Sequence, residues 1–265
     1  MMRVHHFNCG TMRPIGSAEM VCHVLLVETA NSLVLIDSGF GLVDREQWRK
    51  RLGPSSLLLR PIYDPAEAAI NQIRGLGFDP ADVRDVVLTH FDADHVGGTS
   101  DFAWARVHLT SAEYQAAFNP KGMVEKGRYL PGSRAHDPQL VRHDPAAGEG
   151  WHGFASAKEL VEISPGIVLI SMPGHSRGHA AVAVETDTGW VLHAGDTFYH
   201  HGEVDGTGSV PKMLPVMERF MASSFEQVLA NQHRLGEVAQ DLTNNIFVIN
   251  AHDSTLLKQA QAAQS

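Results

Sequence analysis

The stretch Thr89-His90-Phe91-Asp92-Ala93-Asp94-His95-Val96-Gly97-Gly98 holds two imidazoles and two carboxylates within six residues. It follows the apolar run Val86-Val87-Leu88, which reads as a buried strand, so the polar cluster falls where a strand ends and the chain turns. On α/β scaffolds, sites gather at such places. A short loop can turn all four side chains inward, yet one ion cannot easily take them all from so tight a segment. Two adjacent ions can, and zinc, iron and manganese all accept imidazole and carboxylate ligands. The competing reading is an N-cap, with Asp92 or Asp94 capping a helix that begins near Val96. Burying two histidines and two carboxylates without a charge partner would be costly, which favours metal.

Working outward, the same arrangement recurs at three distant places. Pro173-Gly174-His175-Ser176-Arg177-Gly178-His179 follows the strand-like run ending at Met172. His193-Ala194-Gly195-Asp196 follows a second such run, and Asn250-Ala251-His252-Asp253 follows Ile246-Phe247-Val248-Ile249. Each sets a His or Asp just beyond an apolar strand. One coincidence of this kind is weak, and four together point to one convergent site.

The rest of the chain supplies a scaffold. Arg3 to Cys9 reads as an opening strand, and Met20 to Glu28 with Leu33 to Asp37 as a hairpin around Ala30-Asn31-Ser32. Asp37-Ser38-Gly39 then ends the hairpin in a turn. Residues 42–63 mix basic and apolar residues and are broken by Pro54, which predicts a short helix and a loop. Asp64 is a candidate N-cap for a helix from Pro65 to Ile73, with Ala66, Ala69, Ile70 and Ile73 on one face. Val107-His108-Leu109 reads as a short strand and Ser111-Ala112-Glu113-Tyr114 begins a helix. Residues 119–150 are rich in Pro, Gly and Ser and are expected to form an irregular insertion or cleft loop; Tyr129 and Trp151 are its weak contact candidates. A second set of strands is expected at Val161 to Ile163, Val168 to Met172, Ala180 to Glu185 and Trp190 to His193, with Ile246 to Ile249 last. Helices are expected over Pro215 to Asn231, with Met217, Phe220, Met221, Phe225, Val228 and Leu229 as core members, then over Arg234 to Leu242 and residues 254–265.

Composition bounds the function. The chain has 265 residues, enough for one α/β domain over 1–265, and 43% of them are hydrophobic. A net charge of −9 makes it a poor binder of nucleic acid backbone. The start of the chain lacks the apolar stretch of a signal peptide, and no 18-residue apolar run exists, so a cytoplasmic chain with no membrane partner is expected. Cys9 and Cys22 read as reduced, buried thiols. There is no Gly-rich dinucleotide loop after the first strand.

The His90 stretch, in its His-x-Asp-x-Asp-His form, together with the Pro-Gly-His, Gly-Asp and Ala-His-Asp segments, resembles the metallo-β-lactamase fold hydrolases across nearly the whole chain. That resemblance implies an α/β fold, an αββα sandwich of two facing mixed sheets with helices on the outer faces. It also implies two divalent metal ions, zinc first, with iron or manganese as alternatives. Carried over residue by residue, His90, Asp92 and His175 would bind one ion and Asp94, His95 and His252 the other, with Asp196 bridging. Asp37 and His179 would stand behind these ligands, His179 being equally readable as an ordinary histidine. Asp92 departs from the family pattern, where a histidine is usual; flavodiiron proteins carry an acidic residue there and bind two irons, so metal identity stays open.

The implied chemistry is attack of a metal-bridging hydroxide on a lactone or carboxylic ester, with Asp94 carrying a proton to the leaving group. Asp196-Thr197-Phe198-Tyr199 matches the Asp-x-x-Tyr spacing of the N-acyl homoserine lactonases, which implies a small-molecule lactone or ester substrate with Tyr199 at its carbonyl. A glyoxalase II-like thioesterase is disfavoured by the tail after His252, which carries a single Lys, and an RNA-processing nuclease by the acidic charge. A phosphodiesterase or organophosphate hydrolase of the same fold, and a non-catalytic metal-containing ligand-binding protein, are the alternatives. The resemblance also allows a homodimer, with Met20 to Leu26 as one contact.

Overall fold

The computed structural model describes residues 2–15, 17–53, 55–241 and 243–264. Pro54, read above as a break, and Leu242 and Ser265, read as helix ends, lie outside the described residues.

Alternation of buried side chains builds two sheets. The first contains β1 (Arg3–Met12), β2 (Met20–Glu28), β3 (Leu33–Ile36), β4 (Pro61–Ile62), β5 (Val83–Val87), β6 (Arg106–Thr110) and β7 (Gln139–His143), in the order β4-β1-β2-β3-β5-β6-β7. Its first four strands are antiparallel neighbours, and β3, β5, β6 and β7 run parallel. The second contains β8 (Glu149–Trp151), β9 (Phe154–Glu159), β10 (Ile167–Ser171), β11 (Ala180–Thr186), β12 (Gly189–His193) and β13 (Ile246–Ile249), in the order β13-β12-β11-β10-β9-β8. Only β12 and β13 pair in parallel there. Both sheets are therefore mixed, as expected.

The period-two pattern of β2 shows why the sheets are layered. Leu25 and Val27 point between the sheets, where they meet Val34, Ile36 and Val87 of their own sheet and Leu169, Val182 and Ile249 of the other. Val24 and Leu26 point outward and pack under Ile70, Ile73, Ala116 and Ala117. The outer face of the second sheet is covered by Leu235, Val238 and Leu256. The result is helix, sheet, sheet, helix. Because β2 is buried on both faces and flanked by β1 and β3, its Met20 to Leu26 run is core and offers no surface for a dimer contact.

Several expectations are corrected. Val161 to Ile163 is a turn, not a strand: the amide of Leu160 bonds the Ile167 carbonyl at 2.7 Å, closing a loop in which Gly166 takes φ +85°. The strand lies earlier, at β9. The single helix expected over Pro215 to Asn231 is two, Met213–Met221 and Phe225–Gln240, because Ala222 is extended and Ser224 caps the second. The break re-phases the surface, so Phe220 and Leu229 are exposed and are not core members. Arg234 lies inside the second helix and starts no helix of its own. Finally, residues 119–150 carry regular structure, with a helix at Gly122–Arg128 and β7 at the sheet edge. Tyr129 is buried, and Trp151 packs edge-on against Trp190 of the second sheet.

The helix expected from Pro65 to Ile73 is divided by the extended Ala68 into the turn Pro65–Glu67 and the helix Ala69–Gly75, which leaves Ala66 exposed and only Ala69, Ile70 and Ile73 on the packed face; residues 42–63 carry three short helices, Leu42–Glu46, Trp48–Arg51 and Ser55–Leu59, and β4 in place of one helix and a loop. Asp64 accepts the Ala66 amide at 2.9 Å ahead of Pro65–Glu67 and the Ala69–Gly75 helix. Cys9 and Cys22 are free and buried. Among the described residues no helix is long and apolar enough to cross a membrane.

The topology sets the site. Strands β3, β5, β10, β12 and β13 all run the same way in their sheets, and their C-terminal ends open onto one edge of the sandwich. Asp37, His90, His175, Asp196 and His252 each lie one to four residues past those ends.

Candidate metal centre

Asp92 and Asp94 do not behave as caps. Asp92 occupies the N-cap position of the one-turn helix Ala93–Val96, but its side chain makes no capping bond. Its carboxylate points instead to His90 and His175, with Oδ2 3.4 Å from His90 Nε2 and 3.2 Å from His175 Nε2. A second group forms around His95 and His252, whose Nε2 atoms stand 3.8 and 3.6 Å from Asp94 Oδ2. Asp196 lies between them. Its Oδ2 is 3.8 Å from His90 Nε2 and 3.6 Å from His175 Nε2, and its Oδ1 is 3.1 Å from Nε2 of both His95 and His252. All seven residues singled out as ligands in the sequence thus converge, with the four from the His90 stretch split two and two between groups joined by one carboxylate. His90, Asp92 and His175, and separately Asp94, His95 and His252, are sets that could each hold an ion.

The donor chemistry fits divalent metal. His90 Nε2, His95 Nε2 and Asp196 Oδ1 are buried without a hydrogen-bond partner in the protein. Orphaned buried groups of this kind cost about 1–3 kcal/mol each unless something binds them. Donors held about 2.0–2.2 Å from one tetrahedral ion stand roughly 3.3–3.5 Å apart, close to the separations seen here.

The surroundings fix which ring nitrogen faces inward. His252 Nδ1 lies 2.8 Å from the Val21 carbonyl, which can only accept, so a neutral ring carries its proton there and turns the Nε2 lone pair to the site. Asp37 does the same for His95, with Oδ2 2.8 Å from Nδ1. Asp37 is itself held by the amide and hydroxyl of Thr89, both at 2.8 Å, and sits at φ +58°, a conformation Asp tolerates better than most residues. His179 has both nitrogens engaged, Nδ1 with the Met172 carbonyl and Nε2 accepting the Asp196 amide at 2.9 Å. It shapes the loop carrying Asp196 and has no free donor of its own. Gly195, at φ +53°, is required there: a Cβ would come within 2.6 Å of His179 Nε2.

Charges across the groups hold one another. Burial opposes ionisation of Asp92, yet Arg128 and His90 keep its carboxyl well below the usual carboxylate range. Burial likewise opposes ionisation of Asp196, and His252, His95, His90 and His175 hold its carboxyl down. Burial disfavours protonation of His95 and His252, but Asp196 together with Asp37 and Asp94 at His95, and Asp196 with Asp94 at His252, outweighs it and raises both. His175, beside Arg128, is pushed down to about 4 by burial and that cation. The Tyr199 hydroxyl lies 3.4 Å from His175 Nδ1 and is buried; burial and Asp196 keep the phenol protonated. Asp94, with its side chain 13% exposed against 0–5% for Asp196 and the four histidines, lies on the open side of the cluster.

Two residues that sequence reasoning passed over organise this centre. Glu113, fully buried, accepts the Phe91 amide (2.9 Å) and Tyr129 hydroxyl (3.1 Å) on Oε1, and the Ser176 hydroxyl (2.6 Å) and Gly178 amide (3.2 Å) on Oε2. It thereby ties the His90 loop to the His175 loop. Its only sequence signal was Thr110-x-x-Glu113, which reads as a capping box; Thr110 does cap the helix, while the Glu113 side chain reaches across to the loops. Gly178 allows this approach, since a Cβ there would lie 1.9 Å from the Glu113 nitrogen. Arg128 is the second, and nothing in its local sequence marks it.

Comparison with known proteins agrees with the geometry. The family model described as Metallo-beta-lactamase superfamily matches residues 18–224. "Probable metallo-hydrolase Rv2300c" of Mycobacterium tuberculosis is 46% identical over 260 residues, covering 98% of this chain and 83% of that protein. N-acyl homoserine lactonase AttM of Rhizobium johnstonii is 26% identical over 239 residues, covering 86% and 80%. In three dimensions, an N-acyl homoserine lactone hydrolase solved with N-hexanoyl-L-homoserine at its catalytic metal center superposes with a TM-score of 0.68 at 22% identity, over 97% of this chain and 95% of that one. The chain belongs to the metallo-beta-lactamase superfamily.

Proposed function

We propose that this member of the metallo-beta-lactamase superfamily is a dinuclear metal-dependent hydrolase that opens a lactone or cleaves a carboxylic ester. The observation that carries the reading is Asp196, whose two oxygens face two separate His/Asp groups across one small buried centre. His90, Asp92 and His175 would hold one ion, Asp94, His95 and His252 the other, and Asp196 both; zinc suits this imidazole and carboxylate set best. When bound, such a pair supplies Lewis acidity and an activated water near neutral pH.

The chain's own residues supply the rest. Tyr199, kept protonated and buried beside His175, is a fixed donor suited to a substrate carbonyl oxygen as negative charge develops on it. Asp94, on the open side, is positioned to carry a proton toward the leaving oxygen. Asp37 holds His95, and the Val21 carbonyl holds His252, so that both present lone pairs inward. Support for a lactone or ester comes from the Asp196-x-x-Tyr199 spacing and from relatives named as N-acyl homoserine lactonases. The substrate is then a small acyl compound.

The test is metal content per chain together with hydrolysis of acyl homoserine lactones, aryl esters and phosphodiesters. Tyr199→Phe should lower kcat on lactones by about a hundredfold or more, with metal content unchanged. Turnover confined to phosphodiesters would keep the centre and overturn the substrate class. Full metal loading with no turnover on any of the three would favour a ligand-binding protein.

A further inference from the structure

Asp92 brings a buried negative charge into a donor group otherwise made of His90 and His175, and the fold places one cation against it. Arg128 Nε lies 3.4 Å from Asp92 Oδ1, and the Arg128 side chain is 4% exposed. Its two terminal nitrogens are tied to backbone: Nη1 donates to the His175 carbonyl at 2.7 Å and Nη2 to the Met221 carbonyl. It touches both members of the donor group that come from different sheets, Asp92 through its side chain and His175 through its backbone.

The segment that delivers Arg128 is pinned for that purpose from both sides. Arg128 ends the Gly122–Arg128 helix. Earlier in that helix, Glu125 accepts from Arg177 Nε at 2.5 Å and Nη2 at 3.0 Å, tying it to the loop that carries His175. The next residue, Tyr129, donates to Glu113. A mobile surface excursion would need neither anchor.

We propose that Arg128 is the built-in counter-charge of Asp92 and a positioning residue for the first donor group. With neutral imidazoles, His90, Asp92 and His175 carry one negative charge, and Arg128 returns the group to the neutral total that three imidazoles would have. The carboxylate is thus tolerated because the helix in the 119–150 region brings its partner. This inference rests on the dinuclear reading above.

A charge cycle tests it with a readout other than turnover. Zinc-loaded wild type, Asp92→His, Arg128→Met and the double variant are dialysed against a competing zinc chelator, and zinc per chain is measured, with thermal unfolding of each metal-stripped protein as the folding control. In Asp92→His the uncompensated Arg128 should weaken zinc at the first group by about a thousandfold, the scale of a full charge about 4 Å away at an effective interior dielectric of about 20. Adding Arg128→Met should recover at least about tenfold of that loss. A strut that merely holds the His175 and Met221 carbonyls predicts the opposite, since removing it would lower zinc retention in both backgrounds. Arg128→Gln, which keeps an amide donor but no charge, repeats the cycle if Met at this position unfolds the chain. Wild type that retains less than one zinc overturns the dinuclear reading itself; wild type that retains two zincs, with no recovery in the double variant, overturns the role of Arg128 alone.

Discussion

Replacing Glu113 by Gln changes one oxygen into an NH2 group and nothing else in shape, yet it should damage the centre from a distance. Each Glu113 oxygen faces one backbone N–H and one hydroxyl, Phe91 and Tyr129 on one side, Gly178 and Ser176 on the other. Whichever oxygen becomes NH2, the hydroxyl can rotate to accept, but the backbone N–H cannot and is left facing a donor. One charge-assisted bond is lost outright, and the others lose the carboxylate as acceptor. At about 1.5–3 kcal/mol for a bond to a charged group, the net cost is about 2–4 kcal/mol. For a chain of this size that lowers Tm by roughly 5–15 °C. The same bonds lock the Phe91 and Ser176–Gly178 segments beside His90, Asp92 and His175, so zinc at the first donor group should dissociate faster than at the second. Differential scanning calorimetry and timed zinc release to a chromogenic chelator read the two effects. Ser176→Ala, which leaves three of the four donors, should cost only about 1–2 kcal/mol. A Glu113→Gln protein within about 0.5 kcal/mol of wild type, with unchanged zinc release, would refute the claim that this carboxylate organises the two loops.

Other substitutions test separate parts of the argument. Asp37→Asn puts an amide where His95 Nδ1 donates, freeing the ring to place its proton on Nε2; zinc affinity at the second group should fall about 10- to 100-fold, measured by competition titration. Gly178→Ala forces a methyl against the Glu113 backbone and should destabilise by about 2 kcal/mol or more in urea unfolding. Burial and the neighbouring Glu203 push the Glu218 carboxyl up to about 9 from its usual 4.5. Between those values the folded protein holds a proton that the unfolded chain has released, so this contribution is full below about pH 4.5 and is lost as pH rises toward 9. Glu218→Gln, which mimics the protonated carboxyl, should flatten that decline and raise stability near pH 8 by about 1–3 kcal/mol, seen as denaturation midpoints across pH 5–9.

What was legible in the sequence is what local chemistry carries. Apolar runs followed at once by His or Asp marked four strand ends, because strand period and ligand chemistry are both written in neighbouring residues, and the family resemblance of those motifs named His90, Asp92, Asp94, His95, His175, Asp196 and His252 among them. The αββα layering followed from resemblance and from strands such as β2, whose residues are apolar on both faces. Breaks that depend on a single backbone angle were not legible. The extended Ala222 and the turn at 161–163 turn on caps and on a bond from Leu160 to Ile167, and no window of sequence weighs these against the propensities around them. Only the tertiary structure could supply Glu113 and Arg128. Glu113 looks like an ordinary capping residue until Phe91, Ser176 and Gly178 are brought to it, and Arg128 sits in an irregular stretch 36 positions from Asp92. A buried charge finds its partner through space, so the residues that bind metal can be read along the chain, while those that make the binding tolerable can be read only from the fold.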